Sequence, residues 1–308
     1  MSHTHSHTLF ERLSAALPGV PLLAEEPLAK HTSFRIGGPA EVLACPRSEG
    51  ELIALLAVCR AEGILPRILG GGTNILAPDD GLPGVVIGTR GLDFLALTGE
   101  NEITAGAGVP LARLAVFAQQ KGLTGLEFAH GIPGTVGGGL YMNAGAYGGE
   151  LSQAAVSARF LNETGELLTL TGEEMALSYR HSAFMGMQGL IVSGTFRLNP
   201  GDPAAIQARM RELMEKRSAS QPLDLPSAGS TFKRPVGGYA AALIQEAGLK
   251  GFRVGDAAVS EKHSGFVVNL GHATGADVLA LIAQVQKRVR ENSGIELEPE
   301  VRIWTSDK

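Results

Sequence analysis

Residues 131–149 read GIPGTVGGGLYMNAGAYGG, a run in which glycine and small side chains displace nearly everything else. Pro133 fixes a turn, and Gly134, Gly137 and Gly138 remove the Cβ atoms that would hold a flat ligand away from the backbone. A glycine-rich loop packed on a core would share that composition. A second stretch, Gly70-Gly71-Gly72-Thr73-Asn74, directly follows an apolar segment at 65–69 that reads as a short buried strand. A strand feeding three glycines and Thr-Asn presents consecutive backbone N–H groups as an anion nest suited to a pyrophosphate, or else makes a tight structural turn. The spacing is not G-x-G-x-x-G and no Gly-Lys-Ser/Thr follows, so neither a Rossmann fingerprint nor a P-loop is present. Two such glycine loops in one chain favour a dinucleotide site.

Around these loops, helical and strand patterns alternate. Leu52, Leu55, Leu56 and Cys59 recur with helical period over 49–63, which stops at Gly63. Strands are expected at 84–88, 94–97 and 102–105, and a helix at 109–121 with Leu111, Leu114, Ala115 and Ala118 on one face. Thr164-Gly165 joins 155–161 to 166–170 as a hairpin, and 190–198 is a further strand. Asn199-Pro200-Gly201-Asp202-Pro203 marks a domain boundary. Beyond it come a polar helix at 204–218, a loop at 227–235 rich in small and basic residues, and a helix at 240–247 stopped by Gly248. A strand at 266–270 precedes the best amphipathic helix, 274–292, with Val278, Leu281, Ile282, Val285 and Val289 on its apolar face. Lys287, Arg288 and Arg290 in its last turns complement the helix dipole, Gly294 stops it, and 301–304 is a closing strand.

Composition removes several classes. The chain of 308 residues has 44% hydrophobic and 19% charged residues and a net charge of −5, so it is neither disordered overall nor a basic nucleic-acid binder. Two cysteines, Cys45 and Cys59, cannot make a disulfide framework or a zinc ribbon. His3, His5 and His7 suggest either a metal site or a tail; with no cysteine or carboxylate beside them, the tail is favoured and no metal is expected. The longest apolar run, near 52–59, falls well short of the ~20 residues of a membrane helix, and the start lacks the charged and apolar regions of a signal peptide. A cytoplasmic, soluble protein is the expectation.

The motifs HTSFRIGGPA (31–40), LGGGTN (69–74), GLEFAHGIPGTVGG (125–138), MNAGAYGGEL (142–151), SYRHSAF (178–184), SAGSTFKRP (227–235), LIQEAGLKGFRVGDAAVSEKHSGFVVN (243–269) and LEPEVRIW (297–304) occur in one order. With them the chain resembles the MurB family of UDP-N-acetylenolpyruvoylglucosamine reductases over about residues 30–304. The resemblance implies an α+β fold: a two-lobed FAD-binding domain of the vanillyl-alcohol-oxidase (PCMH) type plus a C-terminal α/β substrate-binding domain. Its implied layout is a tail and lead-in helix at 1–30, the FAD domain at 31–199 with lobes at about 31–80 and 81–199, and the substrate domain at 200–299. A strand at 300–308 is left free to return to the FAD domain. No tyrosine-bearing insertion follows Tyr179, so the likeness is to the shorter subtype.

The family's reaction reduces the enolpyruvyl ether of UDP-N-acetylglucosamine to UDP-N-acetylmuramate for peptidoglycan, using NADPH and non-covalent FAD. Hydride goes from flavin N5 to C3, and a proton goes to C2. By resemblance Ser230 is the proton donor, Arg180 stabilises the developing charge, and Glu300 is the third catalytic residue. Taken alone, Ser230 reads as a turn serine, Arg180 as a surface arginine and Glu300 as a solvated strand-end carboxylate. Expected FAD contacts are Gly70, Gly71, Gly72, Thr73, Asn74, His130, Gly131, Ile132, Pro133, Gly134, Thr135, Gly137, Gly138 and Asn143. Tyr179, Lys216, Arg217, Lys233, Arg234, Lys250, Lys262 and His263 are expected around the UDP-sugar. The expected partners are that small molecule, with no nucleic acid or membrane, and a monomer or weak dimer. The alternatives are an FAD oxidase of the same fold acting on an alcohol or sugar, and a UDP-sugar or nucleotide-binding module without turnover.

Overall fold

The computed structural model describes residues 8–306. His3, His5 and His7 lie outside the described residues. The described residues form two compact units, one of residues 8–26, Glu41–Gly71 and Gly84–Glu215, the other of Pro27–Ala40, Gly72–Pro83 and residues 216–306.

The first unit is built on a five-stranded antiparallel sheet in the order Leu167–Thr171, Ala155–Asn162, Gly189–Arg197, Glu102–Gly106, Leu95–Gly99. Its hairpin turns where expected. The Asn162 side-chain oxygen accepts the N–H groups of Thr164 (3.1 Å) and Glu166 (2.8 Å), while Gly165 takes the left-handed φ of +84°. Helix Leu111–Gln120 buries Leu111, Leu114, Ala115 and Ala118, the face expected from its period, in a core shared with Ile103, Phe160, Phe196 and Met210. A second sheet runs Leu22–Pro27, Pro39–Ala44, Leu82–Gly88, Arg67–Leu69, the last two strands parallel. Helix Glu49–Ala61 covers it, capped by the Ser48 hydroxyl accepting from the Glu51 N–H at 3.1 Å. The strand expected at 65–69 is shorter than its apolar run: Leu65 is 70% exposed and only Arg67–Leu69 pairs.

The glycine run at 131–149 is more ordered than its composition suggests. Val136–Met142 is a helix despite three consecutive glycines, each of which lowers helix propensity by about 1 kcal/mol relative to alanine. Packing requires two of them. A Cβ on Gly137 would lie 2.9 Å from the Ala107 Cβ, and one on Gly139 would lie 2.9 Å from a Leu151 methyl. After this helix, Gly145–Ala146 and Gly149–Glu150 pair as a small hairpin turning on Tyr147 and Gly148, both at positive φ.

The second unit holds a four-stranded antiparallel sheet in the order Ser227–Ser230, Phe266–Asn269, Ala257–Val259, Arg253–Val254. Its first strand replaces the loop expected there: small residues suit the irregular register between Ser227 and Ser230, with Gly229 at φ +76°. Helix Gly275–Ser293 buries Val278, Leu281, Ile282, Val285 and Val289 and stops at Gly294, φ +73°. A reciprocal Thr274/Asp277 box caps its start, and the Asp79 carboxylate accepts the N–H groups of Gly275 (2.7 Å) and Ala276 (3.0 Å). The closing strand, Arg302–Ile303, pairs parallel with Ile75–Leu76. Among the described residues no helix is long and apolar enough to cross a membrane, and no three His, Cys, Asp or Glu side chains gather as a metal site.

Candidate functional site

In the first unit the two glycine stretches meet. A Cβ on Gly71 would lie 2.9 Å from the Gly134 Cα, and one on Gly70 would lie 3.0 Å from the Thr135 Oγ1. The close approach is held by backbone. Gly134 accepts from the Leu111 N–H at 3.0 Å, Val136 donates to Val109 at 2.8 Å, and Gly137 donates to Ala107 at 2.9 Å. Arg90 donates to the Gly71 carbonyl at 3.2 Å. Thr135 is 4% exposed and stands at the helix N-cap, yet its hydroxyl makes no cap bond and has no hydrogen-bond partner. The Nδ1 of His130 is likewise buried without a partner. Two orphaned polar atoms beside a backbone cradle that side chains would fill suit a ligand carrying polar groups. Gly131, Ile132 and Pro133 belong to the same loop and Gly138 to the helix that follows it; Ile132 also packs on the core, and Gly138 is exposed. Gly137, by contrast, is consumed in packing and its N–H is bonded within the protein.

Arg180 also lies in this unit, at the corner of a tight turn. Ser178 and His181 exchange backbone hydrogen bonds of 3.1 and 3.0 Å, leaving Tyr179 and Arg180 at the tip. Arg180 has φ +53°, and its guanidinium stands 5.4 Å from the centre of the half-exposed Tyr179 ring. Asn143 does not line the glycine cradle alone: its side chain bonds Ser178 and Ser152.

In the second unit Ser230 and Glu300 stand on adjoining segments, and Thr231 is the reason. Thr231 is 3% exposed. Its N–H donates to Gly265 (2.8 Å), its hydroxyl accepts from the Val267 N–H (3.0 Å), and its carbonyl accepts from the Glu300 N–H (2.8 Å). The Phe232–Pro299 bridge and the Lys233 N–H to Glu298 carbonyl bond (2.8 Å) continue the pairing. On its other side the Glu300 carbonyl accepts from the Asn74 side chain at 3.2 Å, and the Asn74 carbonyl accepts from the Arg302 N–H at 2.9 Å. Glu300 is thus a residue only 9% exposed, pinned by backbone on both sides, rather than a solvated strand end. Thr231 was not singled out from sequence. Its signal was its place directly after Ser230 as a β-branched residue in a run of small ones.

The remaining expected residues are spread through the second unit. Gly72, at φ +66°, is required by the fold: a Cβ there would meet the His31 carbonyl oxygen at 2.0 Å. Thr73 joins Gly72 to Asn74. Lys216 is exposed and Arg217 buried on helix Pro203–Ser220. Lys233 is paired with Glu298, and the Arg234 guanidinium sits 4.7 Å from the Tyr239 ring centre. Lys262 donates to the Ser218 carbonyl at 2.6 Å, and Lys250 is exposed. His263 serves its own turn. Its Nδ1 accepts from the Gly265 N–H at 3.1 Å and its ring meets Phe266 edge-on at 5.0 Å; burial, and secondly the charge of Lys250, pull its pKa below the usual histidine value.

Comparison with known proteins identifies the arrangement. A family model described as FAD binding domain matches residues 40–171, and one described as the C-terminal domain of UDP-N-acetylenolpyruvoylglucosamine reductase matches 221–304. The chain is 46% identical over 291 residues to the UDP-N-acetylenolpyruvoylglucosamine reductase of Levilactobacillus brevis, covering 94% of this chain and 95% of that protein. It is 47% identical over 295 residues to that of Caldanaerobacter subterraneus subsp. tengcongensis, covering 96% and 97%. The crystal structure of the reductase from Thermus caldophilus superimposes with a TM-score of 0.78 at 36% identity, covering 93% of this chain and 99% of that one.

Proposed function

The chain belongs to the UDP-N-acetylenolpyruvoylglucosamine reductase family, and on that premise we propose how its own residues carry the reaction. It is an FAD-containing oxidoreductase that reduces the enolpyruvyl ether of UDP-N-acetylglucosamine with NADPH, a step of peptidoglycan synthesis. FAD, when bound, would supply the redox chemistry that links NADPH to the alkene. Gly70, Gly71, Gly134, Thr135 and His130 are the residues we assign to holding it, on the strength of the cradle and the two orphaned polar atoms.

The protein's part is to place a proton and to stabilise charge. When one alkene carbon receives hydride, negative charge builds at its neighbour and spreads into the carboxylate. Arg180, a planar donor fork, takes up that charge with two parallel hydrogen bonds. The Ser230 hydroxyl donates the proton to C2. A serine is a weak acid, so it needs help, and the Glu300 carboxyl on the adjoining segment assists that delivery. The observation that carries this reading is the Thr231 clamp, which sets Ser230 beside a buried Glu300. Tyr179 and the cations Lys216, Arg217, Lys233, Arg234, Lys250 and Lys262 form the proposed substrate-anchoring set, with His263 shaping the turn beside Lys262. A monomer or weak dimer in the cytoplasm suits a reaction drawing on NADPH and a nucleotide sugar.

An anaerobic flavin spectrum tests the whole. NADPH should bleach the flavin band and the enolpyruvyl UDP-sugar should restore it. Bleaching without recovery would remove the substrate assignment. Absence of a flavin band after reconstitution with FAD would leave a nucleotide-sugar-binding module, and bleaching of the band by an alcohol or sugar, with recovery only on admitting oxygen, would favour an oxidase.

A further inference from the structure

The turn that presents Arg180 is held from both stems by one helix end. Asn143, 1% exposed, terminates helix Val136–Met142 in the left-handed conformation at φ +43°. Its Nδ2 donates to the Ser178 carbonyl at 3.0 Å, and its Oδ1 accepts from the Ser152 N–H at 2.9 Å. On the far side of the turn the Ser182 hydroxyl donates to the Tyr141 carbonyl at 2.7 Å, and Ser182 is fully buried. Ser178 and Ser182 bracket Tyr179 and Arg180, so both stems are tied to the last turn of one short helix. Arg180 itself sits at φ +53°, a conformation that a residue with a Cβ keeps only where its surroundings over-determine it.

We propose that Asn143 is a positioning residue for Arg180: its amide fixes the turn through Ser178 rather than contacting FAD. The proposal rests on the reading of Arg180 as the group that takes up developing charge. An asparagine suits the task because it tolerates the left-handed helix end while supplying a donor and an acceptor in opposite directions. A serine would lack the reach, and an aspartate would oppose the Ser178 carbonyl with a second acceptor.

The test uses the flavin-loaded enzyme and reads its two half-reactions separately. Asn143→Gly keeps the helix end unstrained while deleting both side-chain bonds; Asn143→Asp keeps the bond to Ser152 and loses only the donor to Ser178. Both should retain the flavin spectrum and the rate of reduction by NADPH, and both should slow reoxidation by substrate at saturation by about ten- to a hundredfold, the scale of a misplaced charged group. In an Arg180→Ala background, Asn143→Gly should add nothing further. Loss of flavin, or equal loss in both half-reactions, would overturn the proposal by making Asn143 a cofactor or folding residue. Multiplying effects in the double variant would overturn it by showing action on something other than Arg180. If Arg180→Ala alone leaves reoxidation unchanged, the assignment of Arg180 fails and the proposal with it.

Discussion

Replacing Thr231 with valine separates shape from hydrogen bonding at the clamp. The two side chains have similar volume, but valine cannot accept the Val267 N–H that now lies 3.0 Å from the hydroxyl oxygen. At 3% exposure no water replaces the lost acceptor, so the orphaned backbone N–H destabilises the second unit by about 1–3 kcal/mol. Thr231→Ser is the control. It keeps the acceptor and loses one buried methyl, for about 1 kcal/mol. The single tryptophan, Trp304, stands in the same unit with its backbone N–H bonded to the Leu76 carbonyl at 2.9 Å, so urea unfolding followed by its fluorescence reports on this unit. The kinetic consequence follows from geometry. The Thr231 carbonyl keeps its bond to the Glu300 N–H, but without the Val267 bond the strand carrying Ser230 is held less firmly, and reoxidation of the flavin by substrate should slow about tenfold in the valine variant only, with reduction by NADPH unchanged. If valine and serine variants match each other in both urea midpoint and reoxidation rate, the hydroxyl's bond to Val267 does not steady the strand that carries Ser230, and the reasoning fails.

Other consequences are equally direct. Ser230→Ala should slow flavin reoxidation by about 10²–10⁴-fold, roughly 3–5 kcal/mol of barrier, with flavin reduction unchanged in stopped-flow traces; matched losses in both phases would take the proton away from Ser230. Gly70→Ala and Gly72→Ala should part company. The first meets only a hydroxyl at 3.0 Å, so it should fold within about 1 kcal/mol of the parent and retain less FAD after gel filtration. The second meets a backbone carbonyl at 2.0 Å at φ +66° and should yield little folded protein; a stable Gly72→Ala enzyme would contradict the packing described. Because the folded protein holds the His263 pKa below the ordinary 6.5, the unfolded chain binds more protons in the window just beneath 6.5, so stability falls as pH drops through it and levels off below the folded pKa. His263→Gln should shrink the stability difference between about pH 7.5 and about pH 5.5; an unchanged difference would show that His263 is not its source.

Much of this was legible in the chain before any coordinates. The helices at Glu49–Ala61, Leu111–Gln120 and Gly275–Ser293 and the hairpin at Gly165 follow from apolar period, caps and turn residues, which act within a few residues of each other. The ordered motifs also carried the family. Local rules fail where distant segments decide. Val136–Met142 is helical against its propensity because Ala107 and Leu151 leave no room for side chains at Gly137 and Gly139. The strand at Ser227–Ser230 exists because Phe266–Asn269 supplies its partner, and Leu65 stays outside a strand because nothing covers it. The site divides the same way. Only the family resemblance carried by the ordered motifs pointed to Ser230, Arg180 and Glu300; taken alone, their residue types read as a turn serine, a surface arginine and a strand-end carboxylate. That Glu300 is buried, that Thr231 sets it beside Ser230, and that Asn143 anchors the Arg180 turn depend on hydrogen bonds between segments far apart in the chain, and only the tertiary structure determines which backbone groups meet.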